Sequence, residues 1–141
     1  MKIRQLILAA LVAPLFAHAA ELTLEVDGLD SNRLEGSALF VAVFTEASQW
    51  MAKPVVGRRF AIDAKAGART TVTLADLPEG ALAISAFHDT NGNGRLDRNA
   101  MGITTEPYGF SNNATGQFGP PRFEQAQLTL IPGGVVRITL N

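Results

Sequence analysis

The apolar segments of this sequence are short and mostly alternate with polar residues, a pattern typical of β-strands rather than helices. Strands are predicted at residues 21–26, 36–44, 60–63, 70–74 and 81–87, followed by a closing hairpin of 123–131 and 135–140 around Pro132-Gly133-Gly134. Segment 36–44 is apolar on both faces, which predicts a central strand covered on two sides. Only residues 48–53 suggest a helical turn. We therefore expect an all-β fold, a single antiparallel β-sandwich of the immunoglobulin-like or transthyretin-like type.

The first residues have the features of a secretory signal peptide. Lys2 and Arg4 precede an apolar run at 6–16, which is shorter than the roughly 20 residues needed to span a bilayer. Ala17 and Ala19 then provide the small side chains of a cleavage site. We predict a signal peptide at 1–19, cleaved on export to the periplasm or outside the cell, which leaves a single domain at 20–141 without a membrane anchor. The alternative is an N-terminal membrane anchor.

Composition excludes several classes of protein. The 141 residues contain no cysteine, which excludes disulfides, zinc ribbons and thiol catalysis. The formal net charge is −1, whereas nucleic-acid-binding domains carry a basic excess. Lys53, Arg58 and Arg59 form a small basic patch, which we interpret as a solvated edge. The composition indicates a domain that is stable without disulfides and has no nucleic-acid partner.

A long connection at residues 89–122 separates the strand at 81–87 from the predicted hairpin. It holds 6 of the 13 glycines and is far longer than the usual connection of about 4–6 residues. Disordered segments are poor in aromatic residues, but this one contains Tyr108, Phe110 and Phe118. We therefore expect it to be ordered, without regular structure, and with its rings packed inward. Together with Asn112, the rings are candidates for a ligand-binding surface; the alternative is that they form a satellite core beneath the loop.

The start of this connection carries the front half of a calcium-binding loop. Oxygen-bearing side chains occupy positions 1, 3, 5 and 9 of the motif and glycine occupies position 6: Asp89, Asn91, Asn93, Asp97 and Gly94. Alternate residues of a tight coil point their oxygens at one centre, where the carbonyl of Arg95 adds a further ligand. Position 12 is Ala100 instead of the bidentate Glu, so Glu106 or waters must supply the rest. We predict a structural calcium ion; the alternative is a metal-free turn built on the Asn-Gly pairs.

Several strings of low degeneracy stand in the second half of the chain: DLPEG at 76–80, ISAFHD at 84–89, EPYGFSNN at 106–113, FGPP at 118–121 and FEQA at 123–126. In these strings the chain resembles a bacterial family of exported proteins known as domain of unknown function family 2141. The resemblance covers most of the mature chain and is strongest from Leu77 to Ala126. It implies an exported β-sandwich domain, and it implies no activity.

No catalytic set is predicted. His88 and Asp89 are neighbours on a strand, so their side chains face opposite ways, and one mature histidine without cysteine makes a poor zinc site. We expect His88 to be hydrogen-bonded to the loop at the end of its strand. The sequence therefore favours a non-catalytic binding module for a protein, peptide or carbohydrate partner. The alternative is a periplasmic hydrolase, acting on carbohydrates or esters, that uses His88 with Asp97 or Glu106.

Overall fold

A computed structural model describes residues 19–141 of the protein. The predicted signal peptide lies outside the described residues, except for its last residue, Ala19. Within the described range, no helix has the length and apolar character required to cross a membrane.

The described residues form eight strands and only short helical segments. The strands are β1 (Ala20–Asp27), β2 (Ala38–Phe44), β3 (Val56–Ala61), β4 (Arg69–Leu77), β5 (Ala81–Asp89), β6 (Tyr108–Phe110), β7 (Gln127–Thr129) and β8 (Val135–Thr139). The helical segments are 3₁₀ turns at Ala47–Gln49 and Ser111–Asn113 and one turn of α-helix, α1 (Phe123–Ala126). The predicted all-β class is confirmed.

The strands form two sheets that pack together as a β-sandwich. One is three-stranded, in the order β4-β1-β8, and the other is five-stranded, in the order β3-β2-β5-β6 with β7 also pairing with β5. All pairs are antiparallel except β1 with β8, which are parallel. The sandwich is confirmed, with this one parallel pair added. Its assignment to an immunoglobulin-like or transthyretin-like subtype stays a prediction.

The main core lies between the two sheets. Strand β1 contributes Leu22, Leu24 and Val26, which alternate with exposed or half-buried residues because successive side chains of a strand face opposite sides. The five-stranded sheet meets them with buried residues of β2 and β5: Leu39, Val41, Val43, Leu82 and Ile84. This packing fixes the direction of β5, and therefore the place where the long connection begins.

The predicted closing hairpin is wrong. Strand β7 pairs with β5 in the five-stranded sheet, whereas β8 pairs with β1 in the other sheet. The Pro132-Gly133-Gly134 turn therefore connects one sheet to the other. It is bonded to β1, because the Gly133 N–H donates to the Glu21 carbonyl at 2.9 Å. The start of the predicted strand at 123–131 is instead α1, because Phe123 and Ala126, three residues apart, bury the same face of one helical turn.

Two further expectations need correction. Residues 89–122 are not without regular structure, because β6 lies within them and extends the five-stranded sheet beside β5. Strand β2 is central, as predicted, between β3 and β5, but its outer face is covered only in part. Phe44 is buried there against Trp50, while Phe40 and Ala42 stay half-buried.

Candidate calcium-type loop and ligand surface

The candidate ion-binding segment, residues 89–97, forms a tight coil that we call the asparagine loop. Asp89 is the last residue of β5 and is completely buried. Its two carboxylate oxygens accept backbone N–H groups, from Asn93 at 3.2 Å and from Gly94 at 2.8 Å. Gly94 has a φ of +78°, a conformation in which a residue with a side chain is strained. One buried carboxylate therefore shapes the coil, as the motif predicts.

The side chains of the asparagine loop converge on Asp97. The amide nitrogen of Asn91 donates to Asp97 Oδ2 at 2.6 Å, and that of Asn93 donates to both oxygens at 2.8 and 2.9 Å. These amides hold the pKa of Asp97 below its ordinary value. The amide oxygens accept N–H groups within the loop, Asn91 from Asn93 at 3.2 Å and Asn93 from Arg95 at 2.9 Å. The structure thus brings Asp97 together with both predicted asparagine ligands.

Carboxylates alone do not make a metal centre in this segment. Residues 19–141 contain no group of three or more His, Cys, Asp or Glu side chains placed to hold a metal ion. The asparagine loop offers instead two carboxylates, two amide oxygens and the backbone carbonyl of Arg95. Oxygen atoms of these types are the ligands that a hard cation such as calcium takes in proteins.

Glu106, the carboxylate predicted to complete the ligand set, lies beneath the asparagine loop and is 4 % exposed. Its Oε1 accepts the N–H of Thr90 at 2.9 Å and the Thr90 hydroxyl at 3.2 Å. Its Oε2 accepts the N–H of Asp97 at 3.0 Å. Glu106 therefore binds the backbone at both ends of the loop. Thr90 was missed by the sequence reasoning, since nothing in the motif marks position 2 as buried.

His88 is completely buried, and both ring nitrogens are engaged. Nδ1 accepts the N–H of Asp30 at 3.1 Å, so the ring proton lies on Nε2, which donates to the Ser37 hydroxyl at 2.9 Å. Burial lowers the pKa of His88 below its ordinary value. The expected bond from His88 to the long connection is made by its backbone N–H, which donates to the Pro107 carbonyl at 2.8 Å, and not by its ring. Its partners belong to the connection between β1 and β2, because the side chain points into the sandwich and away from Asp89.

The aromatic residues of the long connection divide into a buried and an exposed set. Phe110 is 5 % exposed and belongs to a cluster with Trp50 and Phe123. The centroid of the Trp50 ring lies 5.8 Å from that of Phe110 and 5.8 Å from that of Phe123. Trp50 also donates its indole N–H to the Pro121 carbonyl at 2.7 Å. Of the two interpretations, the structure therefore confirms the satellite core for Phe110. Asn112 is structural as well, because its amide donates to the carbonyls of Gln125 and Gln127.

Phe118 is fully exposed, so the expectation that all three rings pack inward is wrong for it. It lines a surface hollow of about 400 Å³ together with Tyr108, which is half-buried. Met101 and Ile103 line the same hollow and are 83 % and 57 % exposed. Sequence reasoning missed these two residues, although apolar side chains within a polar Gly/Asn-rich segment are a signal that could have found them. We call this surface the loop hollow.

The fold and the loop define a β-sandwich domain with a long, internally bonded connection at one end of its five-stranded sheet. The chain belongs to the bacterial family described as "Uncharacterized protein conserved in bacteria (DUF2141)", which it matches over residues 24–139. The resemblance seen in the sequence is thereby confirmed. No curated protein and no solved structure shows significant similarity to the chain.

Proposed function

We propose that this protein is an exported, non-catalytic binding module whose long connection is stiffened by one calcium ion. The observation that carries the proposal is the convergence of Asn91 and Asn93 on the Asp97 carboxylate, with the buried Asp89 beneath them. The amide nitrogens of both asparagines, which water could otherwise solvate, are instead held within 3 Å of the Asp97 carboxylate. The export part rests on the sequence of residues 1–19 alone.

Calcium would replace the hydrogen bonds that now end on Asp97. The ligands in this proposal are the carboxylates of Asp89 and Asp97, the amide oxygens of Asn91 and Asn93, and the Arg95 carbonyl. Each amide oxygen accepts one backbone N–H and keeps a second lone pair for an ion. With two carboxylates at a partly exposed site, we expect a dissociation constant of about 10⁻⁴–10⁻³ M, as in other extracellular calcium modules.

In this proposal Glu106 acts on the loop backbone rather than on the ion. Its Oε1 accepts two hydrogen bonds from Thr90, whereas each Asp89 oxygen accepts one, and its Oε2 accepts the Asp97 N–H. These bonds hold the two ends of the coil together. The ion and Glu106 would thus fix the same nine residues from opposite sides. A coil held in this way gives the residues that follow it, 98–105, a rigid point of attachment.

The loop hollow is the proposed ligand surface. Its volume of about 400 Å³ falls in the range of roughly 300–1,000 Å³ that is usual for ligand pockets. Exposed apolar residues at its edge, Phe118, Met101 and Ile103, suit an apolar side chain of a protein or peptide partner, or the face of a sugar ring. Phe110 and Asn112, which the sequence also suggested, do not line this hollow, since Phe110 packs in the satellite core and Asn112 bonds to the carbonyls of Gln125 and Gln127.

The position of His88 supports a binding role over the hydrolase alternative. A general base needs a ring nitrogen within reach of a substrate. The two nitrogens of His88 are bonded to the Asp30 N–H and the Ser37 hydroxyl, inside the sandwich. A hydrolase that uses His88 with Asp97 or Glu106 would have to break both of these bonds.

Calorimetric titration of the mature protein with calcium tests the ion site. We expect one site in the wild type and at least a tenfold weaker one in Asp97→Ala, because half of the carboxylate charge is lost. Glu79→Ala is the matched control, since Glu79 is an exposed carboxylate in the turn before β5, at the opposite end of that strand from Asp89. Absence of heat up to about 10 mM calcium, tenfold above the usual range, or equal binding by Asp97→Ala, contradicts the proposal.

A further inference from the structure

The outer face of the five-stranded sheet carries an apolar trough of about 360 Å³, separate from the loop hollow. Its floor is a row of small residues that are cross-strand partners on three strands, Gly57, Ala42 and Ser85. Adjacent strands lie about 4.8 Å apart, so this row is roughly 10 Å long. The floor is low because none of the three side chains is larger than a hydroxymethyl group.

One wall of the trough is a pair of stacked aromatic rings. Phe40 and Phe87 are cross-strand partners in the next row, with ring centroids 5.1 Å apart and planes inclined by 8°. Pro54 lines the trough as well. The lining is therefore almost entirely apolar, and both rings remain half-buried rather than covered by another part of the described chain.

Charge is present at one end of the trough only. Arg58 and Arg59 line it at the edge strand β3, and no acidic residue lines it. The Arg59 guanidinium lies over the Phe40 ring, 5.9 Å from its centroid, and Arg58 donates to the Gly57 carbonyl at 3.0 Å. Among residues 19–141, the ion pairs involve other arginines, Arg33, Arg69 and Arg137. The Arg59 guanidinium thus stands beside an apolar channel without an ion-pair partner among the described residues. The Arg58 side chain leaves the opposite face of the sheet, because Arg58 is the cross-strand partner of the core residue Val41.

We propose that the trough binds a single-chain anionic amphiphile, a fatty carboxylate, with its carboxylate at Arg59 and its alkyl chain along the Gly57–Ala42–Ser85 floor. Guanidinium groups bind carboxylates through paired, charge-assisted hydrogen bonds. A narrow channel over small residues suits a linear chain, which buries apolar surface along its whole length. The inference is independent of the calcium loop and of the loop hollow.

Calorimetric titration with dodecanoate below its micelle concentration tests this site, in EDTA so that calcium does not contribute. We expect 1:1 binding, with affinity that rises about fourfold per methylene from butanoate to octanoate, since each buried CH₂ contributes about 0.8 kcal/mol and about eight carbons span the floor. Gly57→Leu should weaken dodecanoate at least tenfold by filling the trough. A Cβ added at Gly57 meets no atom within 4 Å and its φ is not left-handed, so the fold should tolerate the change.

The control variants separate the effect of the shape of the trough from the effect of its positive charge. Thr73→Leu places the same side chain on the exposed face of β4 in the other sheet and should bind dodecanoate like the wild type. The variant Arg59→Gln should lose at least tenfold for dodecanoate and nothing for dodecanol. The inference is overturned if dodecanoate does not bind, if Gly57→Leu binds it as the wild type does, or if dodecyltrimethylammonium binds equally well. If 2-naphthoate binds and dodecanoate does not, the inference is also overturned, and the ligand is an aromatic anion.

Discussion

The carboxylate of Glu106 accepts the backbone N–H of Asp97 at 3.0 Å, while its other oxygen accepts the N–H of Thr90 at 2.9 Å. One buried side chain therefore joins the two ends of the asparagine loop. The Thr105 N–H adds a bond to the Asp97 carbonyl at 2.9 Å, so the chain that leaves the loop returns alongside it. The loop is closed by the protein itself, and the ion site that we propose is built on this closed form.

Replacement of Glu106 should destabilise the protein. Glu106→Ala leaves the N–H groups of Thr90 and Asp97 without acceptors, and each unsatisfied buried group costs about 1–3 kcal/mol. We expect the free energy of unfolding in urea to fall by about 2–4 kcal/mol. Glu79→Ala, at an exposed turn, is the control and should change it by less than about 0.5 kcal/mol. Equal stability of the two variants would show that the Glu106 bonds contribute nothing.

Stability should decrease when the pH falls below the ordinary pKa of histidine. Burial lowers the pKa of His88 in the folded state. The negative charges of Asp30, Glu106 and Asp89 raise this pKa by a smaller amount, and the positive charge of Arg33 lowers it further. Below about pH 6.5 the unfolded chain therefore binds a proton more readily than the folded one. The free energy of unfolding, measured in EDTA, should be constant above about pH 7.5 and fall below about pH 6.5, by at most about 1.4 kcal/mol per pH unit.

The assignment of this pH dependence to His88 can be checked directly. Asp30 and Asp97 have lowered pKa values and titrate below their ordinary value of 3.8, outside this window. The other histidine, His18, lies in the predicted signal peptide, so in a protein that begins at Ala20 the ring Hε1 resonance of His88 is unambiguous. We expect that resonance to titrate with a midpoint below the ordinary value of 6.5. A midpoint at or above about 6.5 would contradict the buried neutral ring.

Two phenylalanines of the same connection should respond differently to truncation. Phe110 is buried against Trp50, so Phe110→Ala should cost about 3–5 kcal/mol of unfolding free energy. Phe118 is fully exposed, so Phe118→Ala should change stability by less than about 0.5 kcal/mol. Thermal or urea unfolding followed by Trp50 fluorescence measures both. Similar losses in the two variants would refute the division into a satellite core and an exposed ligand surface.

Gly109 should not tolerate a side chain. It lies in β6, where an added Cβ would come within 2.6 Å of the Thr139 carbonyl oxygen. Because this contact is with backbone, Gly109→Ala should force β6 and β8 apart and cost about 1–3 kcal/mol, as overpacking does elsewhere. Gly119→Ala, where an added Cβ meets nothing within 4 Å, is the matched control and should unfold at the wild-type temperature. A wild-type melting temperature for Gly109→Ala would contradict the placement of β6.

The parts of the fold that the sequence predicted are those that depend on neighbours in the chain. The alternation of Leu22, Leu24 and Val26 gave β1, and the apolar stretch at 81–87 gave most of β5. Partner choice was not predictable in the same way. Which sheet takes β7 and which takes β8 depends on contacts with β5 and β1, distant in sequence, so the Pro132-Gly133-Gly134 turn was mistaken for a hairpin.

The candidate site was also predictable only where it depends on residues that are close in sequence. Spacing alone placed Asp89, Asn91, Asn93 and Asp97 in one coil, since all lie within nine residues. The role of Glu106 as a clamp could not be derived, because nothing in the sequence reveals that its side chain reaches Thr90 beneath the loop. The trough could not be predicted from the sequence either, since the residues of its floor come together only when β3, β2 and β5 are paired.

Amide hydrogen exchange of the mature protein, in EDTA and in about 10 mM calcium, tests the central claim most directly. If calcium stiffens the connection that carries the ligand surface, exchange at residues 91–105 and 114–119 should slow at least tenfold. Core amides such as those of Val41 and Ile84 should change far less, and Asp97→Ala should abolish the effect. Identical exchange of residues 91–119 in the two buffers would contradict a calcium-stiffened binding module.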